Sequence, residues 1–326
     1  MKPFAFRAAS LLGVGRMLRR RHRDRLLVLM YHGVVEEALE PFCWHQLPLD
    51  AFRRQMAWVA RHYYVLPLEQ ALALLREGAL PEHSAAITFD DGYESVFETA
   101  GPVLTELRLP AHVFLVTDLV GTSEVPWPDR VWLAVHHASA ARVDLAPLGL
   151  GRMGLETPGR RAATLDAVLE ALKGRSAVEK DALIGRLEAA LGVDPAERPD
   201  DFRMLTWEQV EAEAAKGLFT FGPHSRTHEI LSRVGDEEVE RQVAGSREDV
   251  ERRLGTKPTV FAYPNGRTED FDDRARRAVT EAGFDWALAT ELGLVDRDCD
   301  PLALPRIPVG ADLAFSRFCL LCSGWL

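Results

Sequence analysis

Two adjacent carboxylates and two spaced histidines have the residue types of a metal site. Asp90 and Asp91 follow the apolar run "AAITF", and His224 and His228 stand four residues apart in "HSRTH". If they lie on a helical turn, this spacing places both imidazoles on one face. Two histidines and one carboxylate make an open three-ligand set that suits Zn²⁺ or a similar divalent ion. The alternative interpretation is a capping pair of acids and two surface histidines.

The adjacency of the two acids needs an explanation, because neighbouring side chains of a regular strand point to opposite faces. Gly92 follows them directly, and a glycine leaves the backbone free to turn at a strand end. We therefore expect a turn that lets one acid point across a shared site while the other faces into it.

Short apolar runs alternate with helical patterns through most of the chain. "RLLVLMYH", "AAITF", "AHVFLV", "LFTFG", "TVFAY", "WALAT" and "RIPV" predict strands. The segments between them predict helices, and Thr206 and Gly217 are the expected cap and stop of one of these. Continuous apolar strands separated by helices imply a parallel sheet covered by helices. Seven or eight such units predict the α/β class, as a distorted (β/α) barrel of seven or eight strands.

Polar residues follow several of these strands at the same end. "LLVLMY" ends at His32, "LFTFGP" ends at His224, and "TVFAY" is followed by Pro264 and Asn265. In parallel α/β barrels the catalytic residues come from the carboxyl ends of several strands, on one face. The predicted fold therefore gathers these residues and the two acids around one opening.

Residues 120–203 interrupt the alternation with a Gly/Pro-rich loop and three helical patterns. We interpret them as a helical insertion that acts as a lid or docking element, or else as a decorative surface subdomain. The predicted organisation is a basic amphipathic arm (1–24), a barrel (25–119 and 204–312), the insertion (120–203) and an apolar C-terminal tail (313–326).

The charge balance limits the partners. The net charge is −10 over 326 residues, which argues against nucleic acid, because phosphate binding needs a basic surface. The arm is locally basic and interleaved with apolar residues, as in a solvated helix or a helix lying on an anionic membrane. It lacks the long apolar stretch of a secretory signal. We expect a cytoplasmic chain, or one peripheral to the inner face of the membrane.

Three segments resemble motifs of a known family. "TFDDG" (88–92) and "HSRTH" (224–228) fully resemble, and "FAYPNG" (261–266) partly resembles, the first three motifs of the NodB-type polysaccharide deacetylases, carbohydrate esterase family 4. "LMYHGV" (29–34) and "LPRIPV" (304–309) resemble flanking segments of a subgroup that acts on bacterial exopolysaccharides. The resemblance leaves the arm and the insertion outside it.

The resemblance implies roles for individual residues. Asp91, His224 and His228 would be the metal ligands, and Asp90 would be the general base that takes a proton from water at the metal. The implied cofactor is a divalent metal, with Zn favoured over Co or Ni. The implied reaction is hydrolysis of an N-acetyl group of an amino sugar to acetate and a free amine, which such a site can support chemically.

Departures from the family pattern suggest further residues. Many members carry an arginine that pairs with the catalytic acid, where this chain has Ala262, and Arg306 could supply that charge from another strand. Asn265, after Pro264, replaces a tyrosine whose backbone N–H helps to bind the oxyanion. The late Leu-x-His motif is absent, and the resemblance to the exopolysaccharide subgroup, in which a histidine of the early "MYH" motif takes that role, implies His32 as the candidate proton donor. The alternative for His32 is a core histidine that is hydrogen-bonded at a strand end.

Together these observations predict a metal-dependent hydrolase that removes the N-acetyl group from an N-acetylated amino sugar. Its substrate would be a bacterial surface glycan or a lipid-linked sugar precursor, with peripheral membrane contact through the arm. One alternative is a non-catalytic carbohydrate-binding relative, although such a protein has no need of a base beside metal ligands. The other is a C–N hydrolase that acts on a non-sugar amide.

Overall fold

The computed structural model describes residues 13–194 and 199–326 of the chain. The described strands are β1 (Leu27–Tyr31), β2 (Gly33–Val35), β3 (Gln46–Pro48), β4 (Tyr64–Val65), β5 (Ser84–Phe89), β6 (Ala111–Leu115), β7 (Arg142–Asp144), β8 (Arg152–Gly154), β9 (Phe219–Pro223), β10 (Val260–Ala262), β11 (Trp286–Leu292) and β12 (Leu304–Pro308). The described α-helices are α1 (Val14–Arg21), α2 (Leu49–His62), α3 (Leu68–Glu77), α4 (Gly101–Leu107), α5 (Trp127–His137), α6 (Pro158–Lys173), α7 (Ala177–Leu191), α8 (Trp207–Lys216), α9 (Asp236–Leu254), α10 (Asp273–Glu281) and α11 (Phe315–Cys322).

Seven parallel strands form a nearly closed barrel in the order β10-β11-β12-β1-β5-β6-β9, and the short β4 also pairs with β5. This confirms the predicted distorted barrel of seven or eight strands. The two end strands, β9 and β10, lie side by side, since a Cβ added at Gly222 would come 3.0 Å from the Val260 carbonyl oxygen. Within the described chain they share no strand pairing. The barrel therefore has one seam.

The strands are buried on both faces, which explains their continuous apolar sequences. Every residue of β1, β5 and β6 is buried. One set of alternate side chains, including Val28, Ala86 and Leu288, forms one apolar cluster. The other set, including Leu29 and Ile87, packs with the residues of surrounding helices in a second cluster. The helices α2, α4 and α8 contribute to this second layer.

The start and end of α8 follow from local sequence. The Thr206 side chain accepts a hydrogen bond from the Gln209 backbone N–H, and the Gln209 side chain accepts one from the Thr206 N–H, a capping box. Gly217 ends the helix with φ +78°, a conformation that glycine adopts without steric cost. The predicted cap and stop of this helix are confirmed.

The insertion contains α5, α6 and α7, packed on an apolar core of their own. It also contains an antiparallel hairpin, β7–β8, although no strand pattern is visible in the sequence of this region. Each strand of the hairpin has three residues, which is too short for an alternating pattern to stand out. The prediction of a purely helical insertion was therefore wrong in this detail.

The first described helix, α1, contacts the C-terminal segment of the chain. Of the predicted arm, residues 1–12 lie outside the described residues, and α1 carries Arg19, whose guanidinium donates to Ser323 Oγ at 3.0 Å. The predicted C-terminal tail contains α11, and Phe318 of this helix is fully buried in the core. Among the described helices, none has both the length and the apolar character needed to cross a bilayer.

Candidate metal centre and catalytic cleft

The turn after β5 directs the two neighbouring acids to different partners. Asp91 has φ +72° and Gly92 has φ +88°, so the strand geometry that would send the side chains to opposite faces stops at Asp90. A Cβ added at Gly92 would lie 2.9 Å from Leu115 Cδ2. Glycine is therefore required here by both the backbone conformation and the space.

Asp91 converges with the two histidines that follow β9. Asp91 Oδ1 lies 3.6 Å from His224 Nε2 and 3.3 Å from His228 Nε2. The ligand atoms of the three residues all lie within 4.8 Å of one another, and all three side chains are buried. His228 has φ +59°, so the histidines are brought together by a tight turn rather than by the helical turn that their spacing suggested.

Hydrogen bonding fixes the orientation of His224. Its Nδ1 lies 2.8 Å from the carbonyl oxygen of Ala262 in β10. Because a carbonyl only accepts, Nδ1 must carry the proton, and Nε2 faces Asp91 with its lone pair. Burial lowers the pKa of His224 to about 4, so the imidazole is neutral near pH 7. A neutral, oriented imidazole is the form that binds a metal ion.

The donor set fits a divalent cation. Asp91 Oδ1 is buried and has no hydrogen-bond partner among the described residues, although a buried carboxylate oxygen is normally bonded. Burial alone would raise the pKa of Asp91, but the neighbouring His228, His32 and His224 together outweigh burial and hold this pKa well below its usual range. The carboxylate is therefore ionised. One carboxylate and two imidazoles around one point form the open three-ligand set of a catalytic metal site.

Asp90 is held away from this set by a buried arginine. Arg306 Nη1 and Nη2 donate to Asp90 Oδ1 and Oδ2 at 2.7 and 2.8 Å. Arg306 Nε also donates to the Ala289 carbonyl at 2.9 Å, which fixes the guanidinium in the barrel interior. Burial would raise the pKa of Asp90, but the Arg306 charge lowers it below its usual value. From the sequence, Arg306 is a possible source of the positive charge beside the catalytic acid, and the structure shows the Arg306–Asp90 ion pair.

The acids and histidines open into a cleft of about 480 Å³. His32, directly after β1, lines this cleft, and burial lowers its pKa. Asn265 also lines the cleft and has φ +60°. Pro264 is buried and is not among the lining residues, and proline has no backbone N–H to offer an oxyanion. Of this pair, Asn265 is the residue that the structure brings to the cleft.

The insertion forms one wall of the same cleft, a placement closer to the predicted lid or docking element than to the alternative of a decorative subdomain. The lining residues from the insertion are Pro126, Trp127, Pro128, Asp129, Trp132, Leu165, Asp166, Leu169 and Lys173. Asp129 was missed, because an acid in the first turn of a helix is ordinarily explained by the helix dipole. The apolar spacing of Leu165 and Leu169 likewise indicates only a packed face. Trp44 and His45, which precede β3, line the cleft as well.

The sequence profile of the polysaccharide deacetylase family matches residues 77–287, which is more than half of the chain. YxkH of Bacillus subtilis (strain 168) is 20% identical over 297 residues, which cover 90% of this chain and 75% of that protein. The poly-beta-1,6-N-acetyl-D-glucosamine N-deacetylase of Staphylococcus aureus (strain MSSA476) is 35% identical over 71 residues. That match covers 22% of this chain and 24% of the staphylococcal enzyme.

Two solved structures share the fold. The Streptococcus pyogenes deacetylase PplD, in complex with acetate, has a TM-score of 0.60 at 16% identity, covering 90% of this chain and 96% of that one. IcaB from Ammonifex degensii has a TM-score of 0.59 at 18% identity, covering 92% and 97%. The family profile spans the acids of the β5 turn and both histidines after β9, and this chain therefore belongs to the polysaccharide deacetylase family.

Proposed function

We propose that this protein is a metal-dependent N-deacetylase that hydrolyses the N-acetyl group of an amino sugar in a glycan or in its lipid-linked precursor. The main support for the proposal is that the two adjacent acids have different partners. Asp91 faces two histidine nitrogens at 3.3 and 3.6 Å, whereas both oxygens of Asp90 are held by Arg306. A ligand and a separate base are the two carboxylates that this hydrolysis needs.

Asp91, His224 and His228 would hold the divalent ion, with Zn favoured and Co or Ni as alternatives. When bound there, the ion would lower the pKa of a water and polarise the amide carbonyl. Asp90 accepts the proton of the attacking water, and Arg306 keeps its carboxylate ionised and fixed. His32 donates a proton to the nitrogen as the C–N bond breaks, so that the amine leaves neutral. Asn265 lines the cleft, and its backbone N–H would stabilise the oxyanion that forms on the acyl group.

The sugar substrate is supported by the family and by the relatives. The staphylococcal relative is named for N-deacetylation of a poly-N-acetylglucosamine. In this chain, Trp44 lines the cleft and is 48% exposed, and an exposed aromatic ring at a cleft is a suitable face for a sugar ring. We therefore propose an N-acetylated amino-sugar chain as the substrate class.

The test is acetate release from free, polymeric and lipid-linked N-acetylamino sugars, with added Zn²⁺ or Co²⁺. Wild type is compared with Asp90→Asn and with Asp50→Asn, which removes an exposed acid at the start of α2. We expect release from one substrate class, a loss of about 100-fold or more in Asp90→Asn, and full activity in Asp50→Asn. No release by metal-loaded wild type would contradict the proposal and favour a non-sugar amide or a binding role.

We also propose that the chain works in the cytoplasm, in contact with the inner face of the membrane. Arg16, Arg20 and Arg21 of α1 are exposed, and Met17 between them is 64% exposed. A basic helix with an exposed apolar residue favours an anionic lipid surface. Such a position would bring the cleft near lipid-linked sugars.

Vesicle co-sedimentation tests this contact. We expect full-length protein to bind phosphatidylglycerol vesicles better than phosphatidylcholine vesicles, and the Arg16→Glu, Arg20→Glu double variant to lose this preference. The Arg152→Glu, Arg186→Glu variant makes the same charge change at exposed sites on the insertion. Equal binding by wild type and the α1 variant would rule out a role for α1.

A further inference from the structure

A buried ion pair joins the insertion to His45, which also lines the cleft. Asp129, in the first turn of α5, accepts a hydrogen bond through Oδ1 from His45 Nε2 at 3.0 Å. Its second oxygen, Oδ2, accepts a short hydrogen bond from the Tyr93 hydroxyl. The side chains of His45 and Asp129 are only 10% and 3% exposed. Both oxygens of a buried carboxylate are thus used, as a stable buried acid requires.

The surroundings of His45 favour its protonated form. Burial alone would lower the pKa of His45, but the charge and hydrogen bond of Asp129, together with Cys43, outweigh burial and raise this pKa well above its usual value. Charge-assisted hydrogen bonds of this kind are shorter and stronger than neutral ones. Removing one partner leaves the other charge buried and unpaired, which is strongly unfavourable. The His45 ring is therefore held in one orientation by the insertion.

His45 belongs to a group of three rings that includes the candidate proton donor. The ring centroids of His32 and Trp44 lie 5.1 Å apart, those of Trp44 and His45 lie 5.4 Å apart, and those of His32 and His45 lie 5.8 Å apart. All three contacts are edge-to-face, which is a favoured arrangement of aromatic rings. Any rotation of His45 would therefore disturb the packing of His32.

Packing has to orient His32, because hydrogen bonding does not fix its ring. Its Nδ1 is buried and has no hydrogen-bond partner among the described residues. This is unlike His224, whose Nδ1 is fixed by a carbonyl. A proton donor must be held within a narrow range of geometry relative to the leaving group. The edge-to-face contacts with Trp44 and His45 supply such a constraint on the His32 ring.

Other contacts keep α5 fixed against the cleft. Trp127 Nε1 donates to the carbonyl oxygen of His228 at 3.1 Å. In α7, Lys180 Nζ donates to Glu229 Oε2 at 2.6 Å, and both side chains are buried. The insertion is thus attached to the turn that carries a candidate metal ligand as well as to His45. Asp129 is therefore presented by a rigid element rather than by a free loop.

We propose that Asp129 of the insertion is a positioning residue, which orients His32 for proton donation by fixing His45. The insertion is then an obligatory part of the deacetylase site and not a decoration of the barrel. This inference rests on the proposed function, in which His32 protonates the leaving amine. According to this inference, Asp129 affects the rate of turnover rather than the binding of substrate.

The first experiment measures kcat and KM for acetate release by Asp129→Asn and His45→Gln. We expect each to lower kcat about tenfold or more while KM changes less than about threefold, because a misplaced proton donor affects the chemical step. Glu188→Gln is the matched control, since Glu188 is a buried acid of the insertion that pairs with Arg130. This control should keep wild-type kcat below its melting temperature. An equal loss in Glu188→Gln would mean that the variants act only through the stability of the insertion.

A double-mutant cycle tests whether Asp129 acts through His32. In the His32→Gln background we expect Asp129→Asn to lower kcat less than about twofold further, because residues that act as one unit are not additive. A full tenfold further loss would overturn the inference. If His45→Gln folds while Asp129→Asn does not, the same cycle is run with His45→Gln.

A readout independent of activity separates the inference from the proposed function. Wild-type protein that releases no acetate would contradict the proposed function alone. In either case, ¹⁵N-histidine NMR should show the His32 signals shifting in Asp129→Asn and staying unchanged in Glu188→Gln. His83, which precedes β5 at the opposite end of that strand, serves as the internal reference. Unchanged His32 signals in Asp129→Asn would overturn the positioning role.

Discussion

Arg306 and Asp90 form a bidentate ion pair that is closed off from solvent inside the barrel. The Arg306 side chain is 0% exposed and that of Asp90 is 2% exposed. The two residues come from β12 and from the turn after β5, and β1 lies between these strands in the sheet. The guanidinium therefore supplies, from two strands away, a charge that the third motif lacks at Ala262.

Replacing Arg306 by methionine should destabilise the protein by about 3–5 kcal/mol, because it leaves a buried carboxylate without its partner. The double variant Arg306→Met, Asp90→Asn should recover much of this loss, because no unpaired charge remains. Urea unfolding of both variants measures the difference. Arg53→Met, which breaks an exposed pair with Glu106, should change stability by less than about 1 kcal/mol. A double variant no more stable than Arg306→Met would contradict the explanation.

Gly92→Ala should lower both stability and metal affinity. Positive φ costs an alanine about 1–2 kcal/mol, and the new Cβ would also press on Leu115, which adds about 1–3 kcal/mol. Gly121 has a similar φ of +82° with nothing within 4 Å of an added Cβ. Gly121→Ala therefore measures the backbone cost alone. Thermal unfolding should rank wild type above Gly121→Ala and Gly121→Ala above Gly92→Ala, and any other order would refute the steric argument.

Variants of the two adjacent acids should separate metal binding from proton transfer. We expect Asp91→Asn and His228→Gln to weaken Zn²⁺ binding by about tenfold or more, because each removes one of three protein ligands. Asp90→Asn should keep Zn²⁺ affinity within a few-fold of wild type while it abolishes acetate release. Isothermal titration calorimetry of metal-free protein gives the affinities. Loss of Zn²⁺ binding in Asp90→Asn would show that the assignment of the two acids is wrong.

The His45–Asp129 pair should stabilise the fold in a pH-dependent way. The folded protein raises the pKa of His45 well above its value of about 6.5 in an unfolded chain. The folded state therefore binds the proton more tightly, and this stabilisation is complete below about pH 6.5 and is lost as the pH rises through the raised pKa. The melting temperature of wild type should exceed that of His45→Gln most near pH 6, and this difference should shrink toward pH 9. A difference that grows with pH would contradict the sign.

The barrel could be predicted because its signal is local. Runs such as "AAITF" are apolar throughout, and a strand buried on both faces needs that composition. The polar residues at the strand ends were equally visible, because one fold places all carboxyl ends at one opening. Arg306 could be named because the family resemblance implies an arginine partner for the catalytic acid, which this chain lacks at Ala262, and Arg306 lies in the last predicted strand.

The role of the insertion could not be predicted, because it depends on contacts between distant segments. Asp129 and His45 are 84 positions apart and share no spacing that a pattern could detect. Asp129 also sits where an acid is expected for helix-dipole reasons, so its sequence position carries no unusual signal. The hairpin β7–β8 was missed for a different reason, since three residues give too little alternation to recognise.

The seam between β9 and β10 has a consequence for how the site responds to its ion. No strand pairing joins these two strands within the described chain, but the His224 imidazole spans the gap to the Ala262 carbonyl. The His224 ring would thus bind the ion through Nε2 while its Nδ1 donates a hydrogen bond to β10. Binding of the ion should therefore stabilise the seam between β9 and β10. Slow hydrogen exchange should extend into β10 only in the ion-loaded protein.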